Sequence, residues 1–365
     1  MEKQSKFWDN YGRFFIALAL VLSATSIAMN LLSRRLETEA APAPTQSSEY
    51  WIDKEETNVI NVLAAGAVMP GEAAQADHLY TDLGSLVKNY DVSAVSFHAL
   101  VNSDCQTTFA EALTAQGFKM YGLAYPGALA FGKDGIDQSM AFWDAQSVRT
   151  SGTHTSTDTS NMIRMAEFNG ISVIYLSYTD SLTGELPENE NYLVNVYSDE
   201  KTPQFVYEAS QMADLVIVSI AWDGEPGALP NERQRTIAES LADAGASIII
   251  GYADHAVQPA CWIDDTLVFY SLGDFYSQEK EDEQRIGALG AVTVTETVYG
   301  DKSRVELTNP KVDLIVSVPD GTDHYDVKKL DRITDEQIAD HAELYKGYCE
   351  TLQRMDDSIR IGGLN

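Results

Sequence analysis

Cysteine is scarce in this chain. There are three in 365 residues, Cys105, Cys261 and Cys349, far apart and without a C-x-x-C pair. That spacing excludes a zinc-ribbon site and a dense disulfide framework. An odd count leaves at least one thiol unpaired within the chain, and buried free cysteines are the expectation, with a single disulfide as the alternative. Basic residues are scarce too, 25 against 55 acids, for a net charge of −30. A body so acidic has no general affinity for nucleic acid or for an anionic bilayer. The excess acid serves solubility, and screening over about 8 Å still permits a local basic patch. Also missing are a G-x-S-x-G elbow, a P-loop and a dinucleotide fingerprint, and "GEPGALPNERQ" reads as a turn into a helix rather than a phosphate cradle.

Charge is absent altogether from Phe14 to Leu32, "FFIALALVLSATSIAMNLL", 19 residues long. As a helix this run would span about 28 Å, close to the hydrocarbon thickness of a bilayer. Lys3, Lys6 and Arg13 precede it and Arg34 and Arg35 follow, so the orientation signal is weak. A cleaved signal peptide is the rival, because Ser26-Ile27-Ala28 has a small-x-small pattern. The apolar run continues into Met29, Leu31 and Leu32, and an uncleaved anchor is therefore expected. Behind it, "ETEAAPAPTQSSE" reads as a flexible to semi-extended tether. The expected plan is a cytoplasmic N-terminus over 1–13, a transmembrane anchor over 14–32 and a linker over 33–57. An extracytoplasmic domain over 58–308 and a C-terminal extension with a helix over 309–365 complete it.

The body has ordinary apolar and charged content, 44% and 22%. From Asn58 onward, β-type runs alternate with helical patterns. "NVINVLAAG", "DVSAVSF", "FKMYGLA", "GISVIYLSYT", "ADLVIVSIAW", "SIIIG" and "TLVFYSLGDF" read as strands. "TFAEALTAQG" and "NERQRTIAESLADAGA" read as helices closed by Gly117 and Gly245. "ALGAVTVTETV" and "SRVELTNPKVDLIVSV" look like a β-meander turning at "YGDKS", and "DEQIADHAELYKGYCETLQRM" has helical periodicity. This is an α/β body with an antiparallel portion late in the chain.

"ADLVIVSIAWDGE", a helix, "ADAGASIIIGYADHAVQPA" and "LVFYSLGDF" form an ordered series that resembles the bacterial capsule-synthesis CapA family, also called poly-γ-glutamate synthesis proteins. The family's pieces read approximately S-L-H-W-G-x-E, G-A-D-x-V-I-G-H-H-P-H-V-x-Q and Y-S-L-G-N-F. Trp222, Glu225, Gly245, Gly251, His255, Gln258, Tyr270, Ser271, Leu272, Gly273 and Phe275 fit them. Upstream, "GAVMPG", "DVSAVSFHAL" and "FAEALTAQGFKMYGLAYPGALAFGKDGI" lie along the family's G-D-I-M-x-G, D-L-x-x-x-N-L-E and F-x-x-A-L…L-A-N-N-H stretches. The resemblance runs from about Asn58 to Gln278. It implies a calcineurin-like metallophosphoesterase fold, an α/β/β/α two-sheet sandwich, here with an N-terminal transmembrane helix. Strands ending at Gly66, Phe97, Ala124, Trp222, Gly251 and Leu272 should face one shallow cleft.

For the chemistry the comparison runs the other way. The family's strand-end aspartate is Ala67. The N-L-E asparagine and glutamate are Ser96 and His98. The N-N-H triplet is Tyr125, Pro126 and Gly127, with Ala130 for the aspartate after it. The H-W-G histidine is Ala221. In the G-H-H-P-H loop Tyr252 and Ala253 stand in for histidines and only His255 remains, while Asp274 replaces the asparagine of S-L-G-N-F. A dinuclear centre needs donors from several strand ends holding two cations about 3.5–4 Å apart, and a catalytic zinc alone takes three protein ligands. His255 is read as a hydrogen-bonded structural residue. The vestigial cleft is then Ala67, His98, Tyr125, Gly127, Ala221, Glu225, Asp254, His255 and Asp274, with no catalytic, cofactor or metal residue expected.

Three readings of function follow. The first is a membrane-anchored CapA-like protein, non-catalytic, in the biosynthesis, export or anchoring of capsule, poly-γ-glutamate or another anionic envelope polymer. Its partners would be the membrane, other synthesis proteins and the polymer, with no nucleic acid. The alternative is a divergent metal-dependent hydrolase. His98, Asp104, Asp223, Glu225, Asp254, His255 and Asp274 cluster in sequence at the loop ends, and converging oxygens among them would bind calcium or magnesium. A third reading is an envelope protein with no remaining link to capsule.

Overall fold

The structure, a computed structural model, describes residues 55–71, 83–224, 227–253, 255–300, 302–321 and 325–364, without the side chains of Asp104 and Cys105. The anchor expected over 14–32 lies outside these residues. Among the described residues no helix is long and apolar enough to cross a membrane.

The chain builds two sheets in three stages. It first lays down the parallel strands β1 (Glu56–Val68), β2 (Val92–Phe97), β3 (Met120–Gly122) and β4 (Arg149–Ser151), with helices α1 (Gly84–Lys88), α2 (Asp104–Ala115) and α3 (Gly132–Asp144) in the crossovers. After α4 (Thr157–Ser160) it starts a second sheet with β5 (Met165–Phe168), β6 (Ile171–Thr179), β7 (Leu215–Ala221), β8 (Ile248–Tyr252), β9 (Val257–Ile263) and β10 (Thr266–Leu272). Helices α5 (Lys201–Ser210) and α6 (Glu232–Asp243) cross over between these strands. It then returns to the first sheet as β11 (Asp274–Tyr276), β12 (Ile286–Tyr299), β13 (Lys302–Pro319) and β14 (Tyr325–Lys329), and ends with α7 (His341–Leu352) and β15 (Arg360–Ile361). Among the described residues the first sheet has nine strands, in the order β14-β13-β12-β1-β2-β3-β4, with β11 on β1 and β15 on β13. The second has six, β5-β6-β7-β8-β10-β9.

Side-chain alternation stacks the layers. Successive residues of a strand face opposite sides. In β1, Ile60, Val62 and Ala64 join the core between the sheets, while Leu63 and Ala65 join Phe109, Leu113 and Trp143 of α2 and α3 on the outer side. In β7, Leu215 and Ile217 face the inter-sheet core, and Val216, Val218 and Ile220 pack on Ile237 and Leu241 of α6. Strands buried on both faces read as continuous apolar runs, as parallel strands covered by helices do. The result is the α/β/β/α two-sheet sandwich expected from the sequence.

Three expectations need correction. The tether was to end at residue 57, but β1 already begins at Glu56. The domain boundary at 308/309 falls inside one strand, because Asn309 (φ 55°) and Pro310 form a bulge in β13 opposite Val292 rather than a break. The C-terminal helix starts only at His341, since Asp340 sits in the left-handed region (φ 56°) and separates it from the turns before it. Cys261 is buried and Cys349 partly buried, both as free thiols.

The segment after α7 is tied back into the first sheet. The Lys329 ammonium donates to Asp313 Oδ2 at 2.7 Å and to the Leu364 carbonyl at 2.5 Å, and the Leu364 amide donates to Asp313 Oδ2 at 3.2 Å. Lys329 and Asp313 are both buried, so each charge depends on the other.

Candidate functional site

The loops that follow β1, β2, β3, β6, β7, β8 and β10 meet around one cavity of about 440 Å³. Ligand sites in parallel α/β sheets lie at these strand ends. Of the residues named from the sequence, Ala67, His98, Tyr125, Gly127, Ala221, His255 and Asp274 line it. Glu225 and Asp254 lie outside the described residues, and Asp104 opens α2 with its side chain outside the description. Sequence reasoning missed Met69, Ser181 and Thr183. The two hydroxyl residues follow β6, a strand legible in the sequence, so the strand-end rule would have found them.

Close backbone approaches fix the walls. At Gly66 an added Cβ would run into the Gly273 carbonyl, and the Ala67 amide donates to that same oxygen at 2.9 Å. β11 thereby zips onto the end of β1 with Asp274 opposite Ala67. Gly273 itself has φ 57°, a turn that glycine adopts without strain. At Gly251, a Cβ would collide with the Tyr270 carbonyl and the Trp222 ring. Trp222 lies across that glycine and donates from Nε1 to the Tyr270 carbonyl at 2.6 Å.

His255 sits in the tight connection between β8 and β9 at φ 63°, with its Nδ1 2.5 Å from Asp274 Oδ2. His98 stacks on Tyr125, ring centroids 5.3 Å apart, and meets Tyr252 edge-on at 5.7 Å. Its Nε2 lies 2.9 Å from Ser96 Oγ. Burial, and secondarily the nearby charge of His255, pushes the His98 imidazole down to about 3, so the ring is neutral at ordinary pH. Burial raises the Tyr125 and Tyr252 phenols, which stay protonated. Behind them, Tyr175 donates to Ser219 Oγ at 2.9 Å in a buried hydroxyl layer beneath the cleft.

These residues do not make up the donor set of a two-metal centre. Ala67, Gly127, Ala221 and Ala253 have no side-chain donor, the two tyrosines keep their protons, and one nitrogen of each histidine is already in a hydrogen bond. Among the described residues, no three His, Cys, Asp or Glu side chains are placed to hold a metal ion. The cleft is also short of positive charge. Asp223 and Asp274 line it, and among the described residues no lysine or arginine does. Arg233, the nearby guanidinium, is engaged by Asp180 at 3.0 Å and Asp199 at 2.6 Å and lies over the Tyr197 ring. A phosphate entering the cleft would meet carboxylates without a cationic clamp.

Residues 66–279 match the family model described as bacterial capsule synthesis protein PGA_cap. The chain is 27% identical over 213 residues to the PGA biosynthesis protein CapA of Bacillus subtilis (strain 168), covering 55% of this chain and 53% of that protein. It is 29% identical over 199 residues to the capsule biosynthesis protein CapA of Bacillus anthracis, covering 52% and 46%. The chain thus spans about half the length of the curated relatives it matches. Among solved structures, a putative 5'-nucleotidase from Staphylococcus aureus, crystallised in complex with alpha-ketoglutarate, aligns at a TM-score of 0.45 and 13% identity. That alignment covers 81% of this chain and 58% of the other.

Proposed function

The chain belongs to the bacterial capsule synthesis protein family that its residues 66–279 match, and on that premise we propose that it is a non-catalytic component in the biosynthesis, export or anchoring of capsule or polyglutamate. The observation that supports a non-catalytic role is the donor set of the cleft. Alanine or glycine occupies four places where the family resemblance expects ligands, and His255 is spent on Asp274. In this reading the body works outside the cell membrane, held there by residues 14–32, with other synthesis proteins and the anionic polymer as its partners.

The rival reading is a hydrolase with a rebuilt oxygen-rich site. It would draw on Asp223 and Asp274 together with Glu225 and Asp254. Two measurements separate the two. Cells lacking the gene should deposit less polymer, while the purified protein should turn over neither a γ-glutamyl oligomer nor a simple phosphodiester. Turnover abolished by a chelator would overturn the non-catalytic reading. Polymer deposition unchanged in the deletion strain would remove the link to capsule.

A further inference from the structure

A second cavity, of about 490 Å³, lies between α4, residues 191–198 and the start of α5. That volume is in the range of small-ligand sites. Its charge is the reverse of the cleft's. In a chain with 55 acidic residues, no aspartate or glutamate lines it among the described residues, and Lys201 is the one charged residue of that lining. Lys201 forms no ion pair among the described residues, and the neighbouring Asp199 is drawn away by Arg233. Lys201 is thus the single cation of the described lining, with the exposed Glu200 beside it in sequence.

The remaining lining is chemically suited to an extended chain. Asn161 and Asn191 are exposed, and their amides make no side-chain hydrogen bond among the described residues. Each can donate and accept, which matches a polyamide backbone. Tyr192 and Phe205, half-buried, offer ring faces for methylene groups. Asn195, by contrast, is fixed on both sides: its Nδ2 donates to the Ser177 carbonyl at 3.1 Å, and its Oδ1 lies 2.9 Å from His154 Nε2. The wall is therefore built, and the recognition groups stand free on it.

We propose that this groove, rather than the family cleft, binds a polyamide strand that carries regularly spaced carboxylates. Lys201 pairs with a carboxylate, Asn161 and Asn191 bridge to chain amides, and the two rings cover the aliphatic spacers. The inference rests on the anionic-polymer reading above but moves the point of contact. Because one cation carries the pairing, the site binds weakly and salt weakens it further.

The test is calorimetric titration of the full chain with poly-γ-glutamate oligomers, and with maltoheptaose as a neutral chain of similar length. Binding of the acidic oligomer should fall by about tenfold in Lys201→Glu and about threefold in Asn191→Ala, the scale of one lost charged and one lost neutral hydrogen bond. It should stay unchanged in His255→Ala. Matching circular dichroism and melting curves check that the Lys201 and Asn191 variants are folded. Binding that survives Lys201→Glu, or that disappears in His255→Ala alone, overturns the groove and leaves the family role standing. Equal binding of maltoheptaose overturns the carboxylate assignment. Absence of any binding overturns the inference as a whole, and polymer deposition in the deletion strain judges the family role separately.

Discussion

His255 and Asp274 join the two sheets across the cleft: an imidazole from the β8–β9 connection lies 2.5 Å from a carboxylate on β11, whose side chain is 1% exposed. A buried carboxylate that loses a partner of this kind is left with a desolvation cost. His255→Ala is therefore expected to lower unfolding free energy by about 2 kcal/mol, the scale of a hydrogen bond to a charged group. Denaturant melts of the two proteins measure it. A loss below the error of the melt would mean that the pair contributes nothing.

His98 predicts a pH dependence. Its folded value of about 3 lies below the ordinary 6.5, so the unfolded chain binds the extra proton first as pH falls. Its contribution to stability is whole above about pH 6.5 and is lost progressively toward pH 3. Three and a half units convert to at most about 5 kcal/mol, and cleft water reaching the ring reduces that. His98→Phe should flatten the stability profile between these limits. An equally steep profile in the variant would assign the dependence to other groups.

The metal prediction follows from the donors. Purified protein should carry well under one equivalent of zinc, manganese or iron, since each missing ligand removes a large share of the binding free energy. A chelator should leave the melting temperature where it was. Stoichiometric metal by elemental analysis, lost in His255→Ala, would contradict the reading.

Gly251→Ala should be costly although the change is a single methyl. The new carbon meets a backbone carbonyl and the Trp222 ring, and backbone cannot step aside. About 3 kcal/mol is expected, the upper end for overpacking. Adding Trp222→Phe, which removes the indole nitrogen from the collision, should recover part of the loss. A variant as stable as the parent would show that the cleft wall is pliable.

Much of this was legible in the residues. "VIVSI" and "SIIIG" read as strands, and the ends of such strands point to one cleft. What escaped was what depends on partners far away in sequence. "VQPACWI" is not among the strands read from the sequence, yet it is β9, the edge of the second sheet, where the amide that Pro259 lacks is tolerated. "GKDGIDQSMAFWD" hides α3 behind two glycines, and its buried face of Ile136, Met140 and Trp143 supplies the helix's stability. That His255 would find Asp274 depends on β11 pairing with β1, a register between residues more than 200 positions apart. The groove beside α5 has no motif, and its signal is a deficit of acid that shows only once the chain is folded.

The return of the chain to the first sheet bears on how the protein can be cut. The stretch that the family model matches ends at residue 279, before β12 and β13. A fragment that keeps β1 but ends at residue 279 would strip that strand of its antiparallel neighbour along ten paired positions, from Glu56↔Val298 to Ala65↔Leu289. It would leave an open, apolar strand edge, a template for self-association. The matched stretch is therefore shorter than the set of strands that pair with one another, and a truncation at residue 279 is expected to self-associate where the chain that keeps β12 and β13 does not.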